Sequence, residues 1–118
     1  MGANPLLQPR LRFPDGSDGA FGPGKAELLR KIAATGSIRS AATQMHMSYN
    51  RAWTLVRTMN GVFRDKLIIA VRGGGTGGGA TLTPLGIEVL RRYTRMEQAC
   101  LSATRADWRA LRGFLAKR

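Results

Sequence analysis

Between residues 37 and 59 two short runs of helical spacing stand almost end to end, each opened by a serine, and this pairing limits the possible folds most. Ser37 is placed to cap the first run, in which Ile38, Ala41, Ala42 and Met45 share one face. A tight turn through His46 and Met47 follows, and Ser48 opens the second run, whose inward stripe is Ala52, Leu55, Val56 and Met59. The small Ala41 and Ala42 let the first helix approach its neighbour closely, as a helix-turn-helix requires. A preceding helix is predicted from Gly22-Pro23, because proline is tolerated at the first helical position, and it stops at Gly36. Its apolar residues are Leu28, Leu29, Ile32 and Ala33.

The flanking segments change period. Lys66 to Val71 reads as a strand, Ala80 to Thr83 as a second, and residues 72 to 79 as the loop of a hairpin between them. Helices followed by a hairpin predict a mainly α chain with a small β element, a winged helix-turn-helix. Leu7 to Phe13 alternates like a strand that Pro9 confines to an edge, and Pro14 to Gly19 supplies a turn toward a short partner at Ala20 and Phe21. From Thr83-Pro84 the pattern is helical again, through Leu85, Val89, Leu90, Tyr93, Met96, Cys100, Ala103, Leu111 and Phe114 or Leu115, with Asp107 as a possible start of a separate helix. Unbroken, this helix spans roughly 45 Å at 1.5 Å per residue. Its apolar face exceeds what so small a domain covers, which predicts a homodimer. Residues 1–83 are thus expected to bind DNA and residues 84–118 to form the dimerisation helix of the same single domain.

Charge narrows the partner. Nineteen Lys and Arg face seven Asp and Glu among 118 residues, a formal net charge of +12 with a sequence pI near 11.6. Such an excess draws polyanions through counterion release, and 15 of the 19 are Arg, whose planar fork suits phosphate and guanine edges. A content of 43% hydrophobic and 22% charged residues is that of a folding domain, not a disordered basic tail. A membrane is disfavoured, since the longest apolar run, Leu67 to Val71, is far too short to span one and no signal segment opens the chain, so a cytoplasmic protein is expected. Cys100 has no partner cysteine, and with the lone His46 it cannot build a protein-only zinc site. No nucleophile has an evident base and orienter, so no enzyme is predicted, and no cofactor is evident.

On the second short helix Asn50, Thr54, Arg57 and Thr58 point away from the predicted core, flanked by Tyr49, Arg51 and Trp53. Asparagine can bond adenine in a bidentate way, arginine guanine or phosphate, and hydroxyls phosphate. The plain alternative is an amphipathic helix with a solvated polar face. Tyr49, Asn50, Arg51, Thr54 and Arg57 are therefore expected near the major groove of double-stranded DNA. Ser37, Arg39, Ser48 and Arg72 are expected on the backbone. Trp53 reads as packing, not as a base-stacking platform. The tract Gly73 to Gly79 contains a G-x-G-x-x-G, but strand follows where a dinucleotide site needs helix, so the tract reads as a flexible wing tip holding Thr76, near phosphate with Arg72 at its base, or equally as a plain flexible loop. The carboxy-terminal Arg91, Arg92, Arg95, Arg105, Arg109, Arg112, Lys117 and Arg118 mostly keep that helix soluble.

Thr35-Gly36-Ser37-Ile38, Ala42, Met47-Ser48-Tyr49, Arg51-Ala52-Trp53, Gly73 to Ala80, Leu82-Thr83 and Gly86 occur in one order. Together they resemble the amino-terminal DNA-binding domain of the molybdate-responsive ModE regulators, which is similar to the winged helix-turn-helix of LysR-type regulators. The resemblance runs from Leu7 to about Glu97. It implies a homodimer, joined through the amino-terminal strands and the long carboxy-terminal helix, on a palindromic operator. His46 departs from the family's usual turn glycine, though histidine tolerates a left-handed conformation better than most residues. The family's oxyanion-binding domain has no counterpart before Arg118. Molybdate is thus implied by resemblance alone, and the two expectations left open are a separate sensor protein as partner or constitutive action. Two other readings stay open: a sequence-neutral binder of RNA or nucleoid DNA, and an oxyanion-binding accessory protein.

Overall fold

Gly22 is extended, Pro23 occupies the first turn, and the helix that follows, α1 (Pro23–Thr35), ends where Gly36 turns left-handed at φ 71° and returns its N–H to Ile32 O. The computed structural model describes residues 8–13, 21–71 and 79–116. After α1 come α2 (Ile38–Gln44), α3 (Tyr49–Val62), β1 (Ile68–Val71), β2 (Gly79–Leu82), α4 (Pro84–Ala103) and α5 (Arg105–Gly113). The serine caps form as predicted: Ser37 Oγ accepts from the Ser40 amide and Ser48 Oγ from the Arg51 amide, each at 3.0 Å. His46 takes the left-handed conformation at φ 57° that the turn between α2 and α3 demands.

The core gathers Leu28, Leu29 and Ile32 of α1 with Ala41 and Ala42 of α2, Ala52, Val56 and Met59 of α3, and Leu67, Ile68, Ala80 and Leu82 of the hairpin region. Phe21 fills its centre, edge-on to Tyr93 at 5.2 Å and to Phe63 at 6.0 Å. Each fully buried side chain of this size contributes about 1.5–3 kcal/mol. Ala33, expected inside, is exposed, and Ala26 faces the core in its place. Met45 and Leu55 are half-buried and pack on the core margin.

The hairpin is antiparallel, with Ile68 opposite Leu82 and Val71 opposite Gly79. It is shorter than predicted at its open end, where β1 starts at Ile68 and Thr83 leaves the strand to cap α4, its Oγ1 accepting from Gly86 N (3.0 Å), and one residue longer at the loop end, where β2 already begins at Gly79. The Thr83 hydroxyl also donates to Lys66 O (2.7 Å), so one side chain both starts the helix and fastens it to the segment before β1. Gly86 permits this closeness: a Cβ there would stand 2.2 Å from Leu67 O. At the other end of the hairpin the Ala80 amide donates to Gly36 O (2.9 Å), tying β2 to the turn between α1 and α2.

Two expectations are corrected. The amino-terminal strand pair reduces, among the described residues, to one antiparallel bridge between Leu11 and Phe21: Gln8, Pro9, Arg10, Arg12 and Phe13 take no strand, and Leu7, Ala20 and the predicted turn lie outside the described residues. The carboxy-terminal helix is two helices, divided at Thr104, whose ψ of 7° departs from helical geometry. The Thr104 hydroxyl donates back to Cys100 O, a pairing that bends helices at β-branched hydroxyl residues. α5 begins at Arg105, with Asp107 inside its first turn, where an acidic side chain complements the helix dipole. α4 alone is about 30 Å long. Its first half belongs to the core: Tyr93 is buried and donates its hydroxyl to Pro9 O, and Leu85, Val89 and Leu90 pack beside it. Arg30 of α1 reaches Thr94 Oγ1 (2.9 Å) and Glu97 Oε1 (2.8 Å) and locks the two helices.

Candidate nucleic-acid interface

α2 and α3 bury only one side each. Arg39, Ser48, Tyr49, Asn50, Arg51, Thr54 and Arg57 are all exposed, and Ser37 is half-buried at the start of α2. Of α3, Ala52, Val56 and Met59 are buried in the core and Trp53 and Leu55 pack on its margin, which leaves the side bearing Asn50, Arg51, Thr54 and Arg57 free for another molecule. Asn50, Trp53, Thr54 and Arg57 line a shallow depression on that side. Thr54 and Thr58 donate their hydroxyls to the carbonyls of Asn50 and Thr54, both at 3.0 Å, so each hydroxyl oxygen keeps its capacity to accept. Thr58, expected to face outward, is half-buried. Trp53 is half-buried against the core, as a packing residue should be.

The electrostatics of this side are one-signed. No Asp or Glu occurs between Glu27 and Asp65, so α2 and α3 carry Arg39, Arg51 and Arg57 without a local acid. None of the three has a carboxylate partner among the described residues. The contrast is α4, where Arg92 and Arg91 both bond Glu88 and hold its carboxyl below the usual range. Those two arginines are partly neutralised in place, whereas the arginines of α2 and α3 present full charge to solvent.

The hairpin that flanks α3 is held to it by Asn60. Asn60 Oδ1 accepts from the Leu67 (2.8 Å) and Ile68 (3.1 Å) amides, and its Nδ2 donates to Ile68 O (3.0 Å). With the Ala80 to Gly36 bond near the loop end, this ties the hairpin at both of its ends to the helix pair. Sequence reasoning passed over Asn60 and offered no local signal for it, whereas the acid-free stretch was readable and unused. Arg72 and Thr76 of the expected wing lie outside the described residues. Among the described residues no group of three or more His, Cys, Asp or Glu is placed to hold a metal ion, and no helix is long and apolar enough to cross a membrane.

No family model matches the chain. Individual proteins do. The molybdenum-pterin-binding protein MopB of Rhodobacter capsulatus is 40% identical over 77 residues, covering 65% of this chain and 28% of that protein. The molybdenum transport protein ModE of Azotobacter vinelandii is 36% identical over 78 residues, 66% of this chain and 29% of that protein. The DNA-binding transcriptional dual regulator ModE of Escherichia coli is 36% identical over 76 residues, 64% of this chain and 29% of that protein. The chain thus spans less than a third of the length of these relatives.

Proposed function

We propose, from the premise that this chain carries a ModE-family amino-terminal domain, that it is a sequence-specific DNA-binding regulator of transcription. The observation that carries the reading is the outward side of α3, where Asn50, Arg51, Thr54 and Arg57 are exposed and uncommitted to the core, and where the two arginines have no carboxylate partner among the described residues. An exposed helix of this kind fits the major groove, with Asn50 and Arg57 reaching base edges and Tyr49, Arg51 and Thr54 beside them. Arg39 and the capped starts of α2 and α3 at Ser37 and Ser48 would face the backbone, and Arg72 and Thr76 belong to the proposed wing. Residues 1–83 do the reading, while residues 84–118 join two copies, so that two such helices meet a two-fold symmetric duplex.

Selection of bound duplexes from a random library, followed by sequencing, tests the reading. Enrichment of a symmetric site supports it, and retention of the library without enrichment favours the sequence-neutral binder. The name of the molybdenum-pterin-binding relative MopB favours a second reading, an oxyanion-binding accessory protein. Calorimetry with molybdate and tungstate addresses it, since heat of binding in the absence of DNA is its expected sign.

A further inference from the structure

Arg39 and Tyr49 sit on different helices, yet the Arg39 guanidinium carbon lies 4.3 Å above the centre of the Tyr49 ring. The Tyr49 ring in turn stands edge-on to Trp53, with centroids 6.3 Å apart and planes at 86°. Trp53 packs against the core, so the three side chains form a ladder from the interior to an arginine that solvent reaches. A guanidinium held by a carboxylate has its charge and N–H groups taken up by that partner. One held over a ring keeps both for another acceptor, and it loses less rotamer freedom on meeting it. Tyr49 is also the first residue of α3, beside the Ser48 cap, so the ring fixes Arg39 next to the amino-terminal end of the exposed helix. We propose that Tyr49 is a positioning residue and not a base reader: buttressed by Trp53, it holds Arg39 ready for a backbone phosphate of duplex DNA. This rests on the function proposed above and assigns to Tyr49 a different role within it.

The test is a double-substitution cycle on the full chain, measured against the selected duplex and a random duplex of equal length. Tyr49→Leu is expected to weaken binding to both about two- to fivefold, the size of an exposed cation–ring contact, and to cost nothing more when Arg39→Ala is already present. Tyr49→Phe, which keeps the ring, is expected to bind as the unaltered chain does. Equal losses from Tyr49→Leu with and without Arg39, a loss confined to the selected sequence, or a Tyr49→Phe as weak as Tyr49→Leu would each overturn the assignment. A second readout needs neither DNA nor the leucine variant. In the free chain the Arg39 δ-methylene protons should show an upfield ring-current shift that Tyr49→Phe preserves, and its absence also overturns the assignment. A chain with that shift that binds no duplex overturns the DNA reading, and the phosphate role with it, while leaving the Arg39–Tyr49 contact standing.

Discussion

Asn50 and Arg39 separate reading from holding. Asn50→Ala should cost about 1–3 kcal/mol on the selected site and little on random duplex, relaxing preference at one base pair. Arg39→Ala should weaken every sequence and reduce the slope of log affinity against log salt by about one, which titrations at several salt concentrations measure. Tyr93 offers a test of packing. Burial, with the Glu97 carboxylate adding to it, raises its hydroxyl above the ordinary range, so the folded chain favours the neutral phenol. The unfolded chain ionises first, near its ordinary pKa of about 10, so the stabilisation is intact below that pH and is lost as pH climbs through the raised value. Thermal midpoints should therefore drop more steeply above about pH 10 in the unaltered chain than in Tyr93→Phe. At neutral pH that variant should itself lose about 1 kcal/mol for the missing bond to Pro9 O. A parallel fall in both would contradict the assignment.

What the sequence made legible among helices and strands was whatever is encoded locally. Ser37, Ser48 and Thr83 cap where their positions say, Pro23 and Pro84 lie in first turns, and Gly36 and His46 are left-handed, because each device acts within a few residues of itself. The fastenings between helices and hairpin were not legible. Asn60 grips backbone seven and eight residues on, Gly86 admits Leu67, and Gly36 O receives Ala80 N–H across the fold. Periodicity carries no mark of such contacts. A division was legible at Asp107, but its true place at Thr104 was not, since apolar spacing continues through it into α5. Asn60 yields the corresponding prediction. Asn60→Ala strands two amides near the strand start, which should lower stability by about 1–3 kcal/mol in denaturant titration, and no change would show that the brace is idle.

The described chain is elongated, 55 by 33 by 21 Å, and it leaves apolar side chains uncovered on α5 and just beyond it. Leu111, Phe114 and Leu115 are 54%, 81% and 64% exposed, and no residue of α5 is buried. A second copy is the cover proposed for them. Sedimentation should show a dimer, and Leu111→Glu with Phe114→Glu should shift it toward monomer while weakening a two-half-site duplex far more than a single half-site. A monomeric unaltered chain would remove this part of the account. The reading as a whole stands on the outward side of α3 lying in the major groove. Guanine N7 lies only in that groove, so methylation interference on the selected duplex probes the placement itself. Lost binding on N7 methylation in two half-sites about one helical turn apart, on one face of the duplex, is the expected result. Unimpaired binding to fully N7-methylated half-sites would contradict it.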